Sequence, residues 1–324
     1  MAKVFGNIEP QDDYTHELGP EENFNESMYF NFFDQSNGYG GFMRCGNRAN
    51  EGNAEVTLCL FLPTGEVLFN YAKPHIDNND AMDAGGMRFE VIEPLEKHHT
   101  TYKGGAVFLT KPEQMADPST AFRENPHKKI ELDLIQEAVG PIYGFAAREK
   151  ASDSPEQQFA KAHYEQHMKA TGTLTIDGET IQINGTGLRD HSWGPRYWQA
   201  LHSYRWLTCT FGPDFGLMVS EVSAKKGEPR QNGCVVRDGD KFERIVSFDI
   251  ESEYVPDTLF HKSMKANLKL EGGDSLVLEG TVKGFIPLRN RRAGMVTHIG
   301  EGMTEYSCEG RTAYGISEYL DQVE

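Results

Sequence analysis

The sequence predicts an all-β protein made of two antiparallel β-barrels or sandwiches packed together. Short runs of β-branched and aromatic residues recur at short, even spacing along the whole chain, at least eight in each half. Asp-Gly and Asn-Gly turn signals separate many of these runs, and helical periodicity is almost absent. A chain of 324 residues is long enough for two domains. We predict that these are residues 1–190 and 191–324.

The N-terminal half is predicted to begin with a surface arm. Residues 1–26 are acidic and rich in Pro, Gly and Asn, a composition that suits a segment outside the core. The strands that we predict after it cover residues 28–33, 41–45, 54–62, 66–71, 87–94, 97–103, 106–109, 128–138, 163–166, 172–177 and 179–184. Loops are predicted at 73–86, 111–127 and 146–158, with a short helical turn at 155–161.

The C-terminal half shows the same pattern of short strands separated by turns. Its predicted strands cover residues 204–211, 215–222, 233–236, 242–254, 263–270, 275–282, 303–309 and 312–319. Asp177-Gly178 and Asp238-Gly239 are each flanked by alternating residues, which predicts a tight hairpin at both places. The only basic cluster, Arg289 to Arg292, is predicted to be a solvated loop that could meet an anionic substrate tail.

Charge and composition exclude several classes of partner. The formal net charge of −17 repels phosphate backbones, so we expect no nucleic acid. No apolar run approaches the roughly 20 residues of a membrane helix, and the N-terminus has no hydrophobic signal core. We therefore expect a cytoplasmic protein without membrane insertion, with a homodimer left open.

The metal and cofactor signals are weak. The five cysteines are widely spaced and lack a C-x-x-C pattern, so neither a disulfide framework nor a zinc site is encoded. His98-His99, and His163 with His167, have spacings that a metal could use, but the second pair falls in a predicted strand, where an i,i+4 pair does not converge. Phosphate-binding, dinucleotide-binding and nucleophile-elbow patterns are absent from the sequence. We expect no metal and no cofactor.

One segment is unusually dense in side chains that can stack or exchange protons. The eighteen residues from Arg189 to Trp206 hold all three tryptophans, two histidines, three arginines, two tyrosines and an aspartate. We interpret this segment as the lining of a pocket where the two halves meet, because each polar edge in it needs a partner once the rings are buried. The alternative is an aromatic plug whose charges are satisfied locally.

The chemistry of this segment favours acid catalysis. Asp190 and His191 can hold a proton near neutral pH in a partly desolvated site. Gly185, Gly187 and Gly194-Pro195 predict a sharp turn, so that Asp190 and Trp193 need not alternate as in a regular strand.

The aromatic faces suit a developing cation. Trp193, Trp198, Tyr204 and Trp206 attract cations within roughly 6 Å of a ring centroid. The structural alternative is that Asp190 bridges to one of the neighbouring arginines, Arg189 or Arg196, and that His191 donates to a backbone carbonyl.

The segment from Gly185 to Arg196, read as G-x-G-x-R-D-H-S-W-G-P-R, resembles the domain junction of the carotenoid 1,2-hydratase and AttH-like superfamily. The strand texture of both halves and the closing Tyr314 to Tyr319 are compatible with it over nearly the whole chain. The resemblance implies two lipocalin-like β-barrels, an architecture that the lipocalin-like Diels-Alderases share as a distant branch.

The resemblance also assigns roles. His191 and Trp193 match the His-x-Trp of the hydratases. Their Tyr-x-Asp on the next hairpin, whose acid protonates an isoprenoid alkene, has no tyrosine here, and its acid is displaced to Glu221. The acid role therefore stays open between Asp190 and Glu221, with Glu165 as a third carboxylate.

Together these features predict a cofactor-independent hydratase or dehydratase of an apolar isoprenoid, steroid-like or aromatic substrate, acting through a carbocation-like state. The candidate catalytic residues are Asp190, His191, Trp193 and Glu221. The candidate substrate-binding residues are Tyr164, Glu165, Arg196, Trp198, His202, Tyr204 and Trp206. The alternatives are a pericyclase or isomerase of a small hydrophobic metabolite, and a non-catalytic protein that binds a lipophilic ligand.

Overall fold

The computed structural model describes residues 3–146, 162–197, 201–292 and 294–323. Most of these residues lie in strands, which confirms the predicted all-β class. The strands are β1 Val4–Gly6, β2 Phe24–Asp34, β3 Tyr39–Arg48, β4 Asn53–Phe61, β5 Val67–Ala72, β6 Met82–Ala84, β7 Met87–Glu93, β8 Lys97–Leu109, β9 His127–Ala146, β10 Ala162–Ile176, β11 Glu179–Pro195, β12 Ser203–Gly212, β13 Phe215–Ser223, β14 Pro229–Arg237, β15 Lys241–Tyr254, β16 His261–Leu270, β17 Ser275–Arg292, β18 Met295–Cys308 and β19 Arg311–Val323.

The chain forms two compact units. Unit 1 comprises Met1–Leu60, Leu68–Phe108 and Asn125–Tyr197, and unit 2 comprises Phe61–Val67, Leu109–Glu124 and Trp198–Glu324. A domain boundary at Asp190 stays a prediction, and β11 passes through that position without a break. Within the described residues, no helix combines the length and the apolar character that crossing a membrane requires.

Unit 1 is built on one sheet with the strand order β1-β9-β10-β11-β2-β3-β4-β5-β8-β7-β6. The strand β8 also pairs with β9, so eight of these strands form a closed circuit through β2, β3, β4, β5, β8, β9, β10 and β11. Every residue of β2 is buried. The short strand β1 adds to β9 in parallel.

Unit 2 contains a closed antiparallel barrel of β12 to β19 in sequence order. Its apolar core takes alternate residues of successive strands, among them Leu207, Leu217, Leu268 and Tyr306. The Asp238-Gly239 hairpin is confirmed: β14 and β15 pair up to Arg237 and Lys241 around a three-residue turn in which Asp238 and Gly239 both have positive φ.

Several predicted loops are wrong in detail. Residues 111–127 contain a 3₁₀ helix, Pro112–Ala116, and the helix α1, Pro118–Glu124. Asp117 precedes α1 and accepts a hydrogen bond from the Thr120 hydroxyl at 2.7 Å, and a proline at the first helical position costs no hydrogen bond. The predicted loop at 73–86 contains β6.

The basic cluster at Arg289 to Arg292 lies within β17 and not in a loop, since β17 stays in register with β18 to Arg292. The helical turn predicted at 155–161 lies outside the described residues, as does nearly all of the loop predicted at 146–158.

The N-terminal arm does not lie wholly on the surface. Residues Pro10–Asp13 form a 3₁₀ helix in which Asp12 and Asp13 are both buried, and Ile8 is buried before it. An isolated buried carboxylate is costly, so burial of Asp13 requires a cation. That cation is Arg189 of β11, which fixes the arm against the strand that carries three of the four candidate catalytic residues.

Candidate functional site

The hairpin of β10 and β11 sorts the candidate residues onto two faces. Its turn residues Asp177 and Gly178 have positive φ, as the sequence predicts. In this register Tyr164 lies opposite His191, and Glu165 lies opposite Asp190. Because successive side chains of a strand point to opposite faces, each pair shares a face and the two pairs are separated by the sheet.

The sharp turn predicted around the glycines of this segment is not formed. The strand β11 stays paired with both β10 and β2 to the level of Trp193. The side chains of Asp190 and Trp193, three positions apart, therefore point to opposite faces of the sheet, as in any regular strand. Gly185 and Gly187 serve close packing instead, since an added Cβ would lie 2.4 and 2.2 Å from carbonyl oxygens of β2. Asp190 and His191 therefore belong to two different clusters.

The first cluster, which we call the Arg189 cluster, comprises Asp13, Glu26, Tyr164, Arg189 and His191. At its centre Arg189 donates to Asp13 at 2.5 Å, and the Tyr164 hydroxyl donates to the same Asp13 oxygen at 2.7 Å. All five side chains are buried. Burial by itself would raise the pKa of Asp13, but the Arg189 guanidinium and a hydrogen bond from His98 outweigh it and hold that pKa far below its usual range.

The cluster continues from Tyr164 to the arm. The Tyr164 hydroxyl lies 3.0 Å from Nδ1 of His191, and Nε2 of His191 lies 2.5 Å from Oε1 of Glu26. Nδ1 of His16 lies 3.1 Å from the same Glu26 oxygen. Burial would raise the pKa of Glu26, yet the hydrogen bonds from His16 and His191 lower it to about 2. An unbroken hydrogen-bonded chain therefore links Asp13 to His16.

Trp193 lies on the same face and packs against the apolar cluster of Ile8, Leu95, Ile142, Ala146, Ala162 and Tyr164. The His16 ring stacks on the indole with centroids 3.8 Å apart and an interplanar angle of 13°. One indole face is thus covered by the protein itself. A role for Trp193 in stabilising a cation stays a prediction, and it is restricted to the face of the indole ring that His16 does not cover.

The second cluster, which we call the His163 cluster, comprises His163, Glu165 and Asp190 on the opposite face. Nε2 of His163 is hydrogen-bonded to Oδ2 of Asp190 and lies 3.4 Å from Oε1 of Glu165. The His163 side chain is 36% exposed, whereas those of Asp190 and Glu165 are 18% and 5% exposed. The imidazole is therefore the most accessible group of the cluster, and the two carboxylates fix its orientation.

The charges in the His163 cluster follow from this geometry. Burial would lower the pKa of His163, but the charge and hydrogen bond of Asp190, with Glu165, raise it to about 9. Burial would raise the pKa of Asp190, and the charge of His163 lowers it instead. At neutral pH the cluster holds a protonated imidazole and an ionised Asp190.

This pairing differs from the structural alternative for Asp190. The hydrogen-bond partner of Asp190 is His163, and Arg189 lies on the other face with Asp13. Arg196 donates to the Ser192 hydroxyl at 2.9 Å, and its positive charge also lowers the pKa of Asp190.

The remaining predicted residues belong to unit 2. Glu221 of β13 lies opposite Arg205 of β12 and accepts a hydrogen bond from Gln231 at 2.7 Å. Tyr204 and Trp206 alternate with Arg205, so their side chains point to the face opposite Glu221. The backbone of His202 bonds to Ser223 and Gln322. Trp198 lies outside the described residues.

Five residues that these clusters use are not among the candidate site residues predicted from the sequence, although His98 and His163 were considered as metal ligands. They are Asp13, His16, Glu26, His98 and His163. The position of His163 could have been predicted from the Asp177-Gly178 turn. A two-residue turn there pairs Ile176 with Glu179, and counting outward along both strands places His163 next to Asp190 on the same face. For the others no local signal exists, since they reach β11 from distant parts of the chain.

Within the part of the chain that the structure describes, two sets of side chains have the composition and spacing of metal ligands. They are His16 with Glu26 and His191, and His163 with Glu165 and Asp190. In each set one ligand atom from every residue lies within 4.8 Å of the other two. Imidazole and carboxylate ligands of this kind suit Zn²⁺ and Fe²⁺.

Residues 9–323 match the model of the family described as a domain of unknown function, DUF7064. No curated protein sequence gives a significant match.

Solved structures with the same architecture cover nearly the whole chain. Kievitone hydratase from Nectria haematococca superposes with a TM-score of 0.59 at 10% identity, covering 99% of this chain and 96% of that one. CghA solved with Sch210972 gives 0.56 at 12% identity, covering 94% and 89%. A protein of Nitrosomonas europaea assigned as AttH gives 0.55 at 12% identity, covering 95% and 97%. The lipocalin-like fold predicted from the resemblance is confirmed, and at these identities the likeness concerns the fold alone.

Proposed function

The chain belongs to the family described as a domain of unknown function, DUF7064, and we propose that it is a hydratase or dehydratase that acts on a small apolar organic substrate by acid–base catalysis. The observation that carries the proposal is the His163 ring, 36% exposed and held between the carboxylates of Asp190 and Glu165. A charged imidazole fixed by two buried acids in this way is a proton donor with a defined direction.

The donor in this proposal is His163 and not Asp190. The pKa of Asp190 is lowered, so at neutral pH its carboxylate has no proton to give. The pKa of His163 is about 9, so its ring is protonated in the resting protein. Asp190 is then the group that orients the ring and stabilises its charge, as carboxylates do for catalytic histidines.

In the dehydration direction the substrate hydroxyl accepts the proton of His163, and the carbon–oxygen bond breaks to release water. The Glu165 carboxylate, 3.4 Å from the His163 ring, accepts the proton lost from the neighbouring carbon as the double bond forms. Hydration is the exact reverse: protonated Glu165 gives its proton to the alkene carbon, and neutral His163 takes a proton from the attacking water, so this direction starts from the other distribution of the proton within the pair. The carbocation-like state and the isoprenoid, steroid-like or aromatic nature of the substrate belong to this proposal. Trp193 lies on the opposite face of β11, so it does not contact a cation formed beside His163.

Hydration is the reaction to test first, since the proteins that share this fold include a kievitone hydratase. A pericyclase or isomerase is a second candidate, and CghA solved with Sch210972 is an example of a small molecule held by a protein of this fold. The two differ in their need for a proton. A pericyclase that only folds its substrate keeps its rate when His163 is replaced.

The test uses purified full-length protein incubated with a lipophilic extract in ¹⁸O-labelled water. We expect labelled product with the native protein and a loss of about 10²-fold or more in the His163→Gln and Asp190→Asn variants. The matched control is His99→Gln, since His99 is also 2.9 Å from an aspartate, Asp133, but that aspartate is 65% exposed. Full labelling in His163→Gln, or equal losses in all three variants, would contradict the proposal.

A further inference from the structure

We propose that His16, Glu26 and His191 bind one divalent transition-metal ion, Zn²⁺ or Fe²⁺. These residues lie on the face of β11 opposite the His163 cluster, so the inference is independent of the proposed hydratase activity. Two imidazoles and one carboxylate are the ligand set of catalytic zinc sites and of non-haem iron sites, both of which keep coordination positions open.

The three ligand atoms already converge on a common point. Nδ1 of His16 is 3.1 Å and Nε2 of His191 is 2.5 Å from Oε1 of Glu26. Ligands bound at about 2.0–2.2 Å from an ion lie roughly 3 Å apart. The His16–Glu26 spacing fits this value, and the His191–Glu26 spacing fits after an opening of roughly half an ångström.

Hydrogen bonding at Tyr164 fixes the tautomer of His191. Arg189 can only donate to the Tyr164 oxygen, at 3.2 Å, and the ionised Asp13 can only accept, so the tyrosine gives its single proton to Asp13. Nδ1 of His191, 3.0 Å from that oxygen, must then carry a hydrogen and donate it.

This tautomer leaves the Nε2 position of His191 directed at Glu26. Nε2 of His191 and Nδ1 of His16 both face Oε1 of Glu26, at 2.5 and 3.1 Å. A metal ion held there replaces the proton between Nε2 and the carboxylate, and its bond to Nε2 is compatible with the hydrogen that Nδ1 of His191 carries. The Tyr164–Asp13 pair then acts as the outer hydrogen-bonding shell that orients ligand histidines.

The other two ligands are held in place as well. Oε2 of Glu26 accepts from the His16 backbone at 3.0 Å and from Asn79 at 3.3 Å, which leaves Oε1 to face both rings. The His16 ring is fixed by its stacking on Trp193, and its Nε2 lies 3.7 Å from an Asp12 carboxylate oxygen. With Nδ1 on the metal, the Nε2–H of His16 points toward that carboxylate.

The competing set on the other face is a poorer metal site. It contains one histidine, His163, whose proton a metal ion would have to displace, and its pKa is about 9. The proposed site is also reachable from solvent, because His16 is 21% exposed, while Glu26 and His191 are buried.

The first experiment measures metal binding by the full-length protein after removal of bound ions with a chelator. Calorimetric titration with Zn²⁺ and absorption spectroscopy with Co²⁺ as a probe are expected to show one ion per chain. His16→Ala is expected to weaken binding at least tenfold, and His99→Ala, which removes an exposed histidine elsewhere in unit 1, is expected to leave it unchanged. Metal analysis of protein produced in zinc- or iron-supplemented medium identifies the native ion.

Other results would overturn the proposal. These are absence of binding by the native protein, unchanged affinity in a folded His16→Ala variant, or loss of binding in His163→Ala instead. If His16→Ala fails to fold, as judged by circular dichroism, crystals of the native protein grown with Zn²⁺ decide the matter. An anomalous peak must then lie within about 2.3 Å of the three ligand atoms, and its absence there refutes the site.

Discussion

Asp190 and His191 are adjacent in sequence, yet their side chains lie on opposite faces of β11 and enter two separate clusters. Asp190 pairs with the accessible His163, whereas His191 is buried between Tyr164 and Glu26. Substitutions at these neighbouring positions therefore have different consequences. A change at Asp190 affects the charge of His163, and a change at His191 affects the attachment of the N-terminal arm.

We expect the His163–Asp190 pair to make stability depend on pH in the alkaline range. The folded pKa of His163 is raised from 6.5 to about 9, so its contribution is complete below pH 6.5 and is lost as pH rises through 9. Urea unfolding at pH 6, 7.5 and 9 should show this fall in the native protein and a smaller fall in His163→Gln. Identical pH slopes in the two proteins would rule out the raised pKa.

We expect Tyr164→Phe to destabilise the protein by about 1–3 kcal/mol. The substitution removes the hydroxyl that joins Asp13 to His191 and leaves both without one partner in a buried setting. Tyr102→Phe is the control, because its hydroxyl makes one hydrogen bond, to the carbonyl of Gly105 at 2.8 Å. Chemical denaturation should show the larger loss for Tyr164→Phe, and equal losses would mean that the buried chain of hydrogen bonds adds nothing.

Asp13→Asn is expected to cost about 3–5 kcal/mol, since it leaves the buried Arg189 guanidinium without its counter-charge. The folded pKa of Asp13 is lowered, so the contribution of its carboxylate is present above about pH 4 and is lost as pH falls below that value. The variant should therefore lose stability less steeply in acid. The control is Asp214→Asn, which breaks an exposed ion pair with Arg311 and should change stability far less, because solvent screens that pair. Comparable costs for the two would contradict the assignment.

Glu301→Gln is expected to stabilise unit 2 near neutral pH. Burial alone raises the pKa of Glu301 from 4.5 to about 8, and its Oε2 has no hydrogen-bond partner. Because the folded state resists ionisation of this acid, native stability falls as pH rises from 4.5 to 8. At pH 7.5 the variant should gain about 1–3 kcal/mol in free energy of unfolding.

The control for Glu301 is Glu279→Gln on the neighbouring strand β17. Glu279 is 60% exposed and pairs with Lys265, so its replacement should change stability little at any pH. Thermal unfolding of both variants at pH 5 and 7.5 checks the prediction. A Glu301→Gln variant that is less stable than the native protein at pH 7.5 would show that the carboxyl has a partner worth more than its burial costs.

The sequence by itself determined the features that depend on short-range pattern. Alternating residues and Asp-Gly turns predicted the all-β class and the hairpins, because strand period and turn stereochemistry are local properties. The two-residue turn at Asp177-Gly178 also sets the register of β10 and β11, which pairs Glu165 with Asp190. The sequence also showed that the segment after Arg189 is rich in titrating and aromatic residues. That this segment lines a pocket between the two halves stays a prediction.

Only the tertiary structure decided which of these residues act together. The expected sharp turn at Gly185 and Gly187 fails because β2 pairs along β11 and keeps its alternation regular to Pro195. Asp13, His16 and Glu26 reach this strand from more than 150 residues away, as the separations of 176 for Asp13 and 165 for Glu26 show. The buried charges of β11 need partners that no local pattern specifies, and closure of the barrel and docking of the arm supply them.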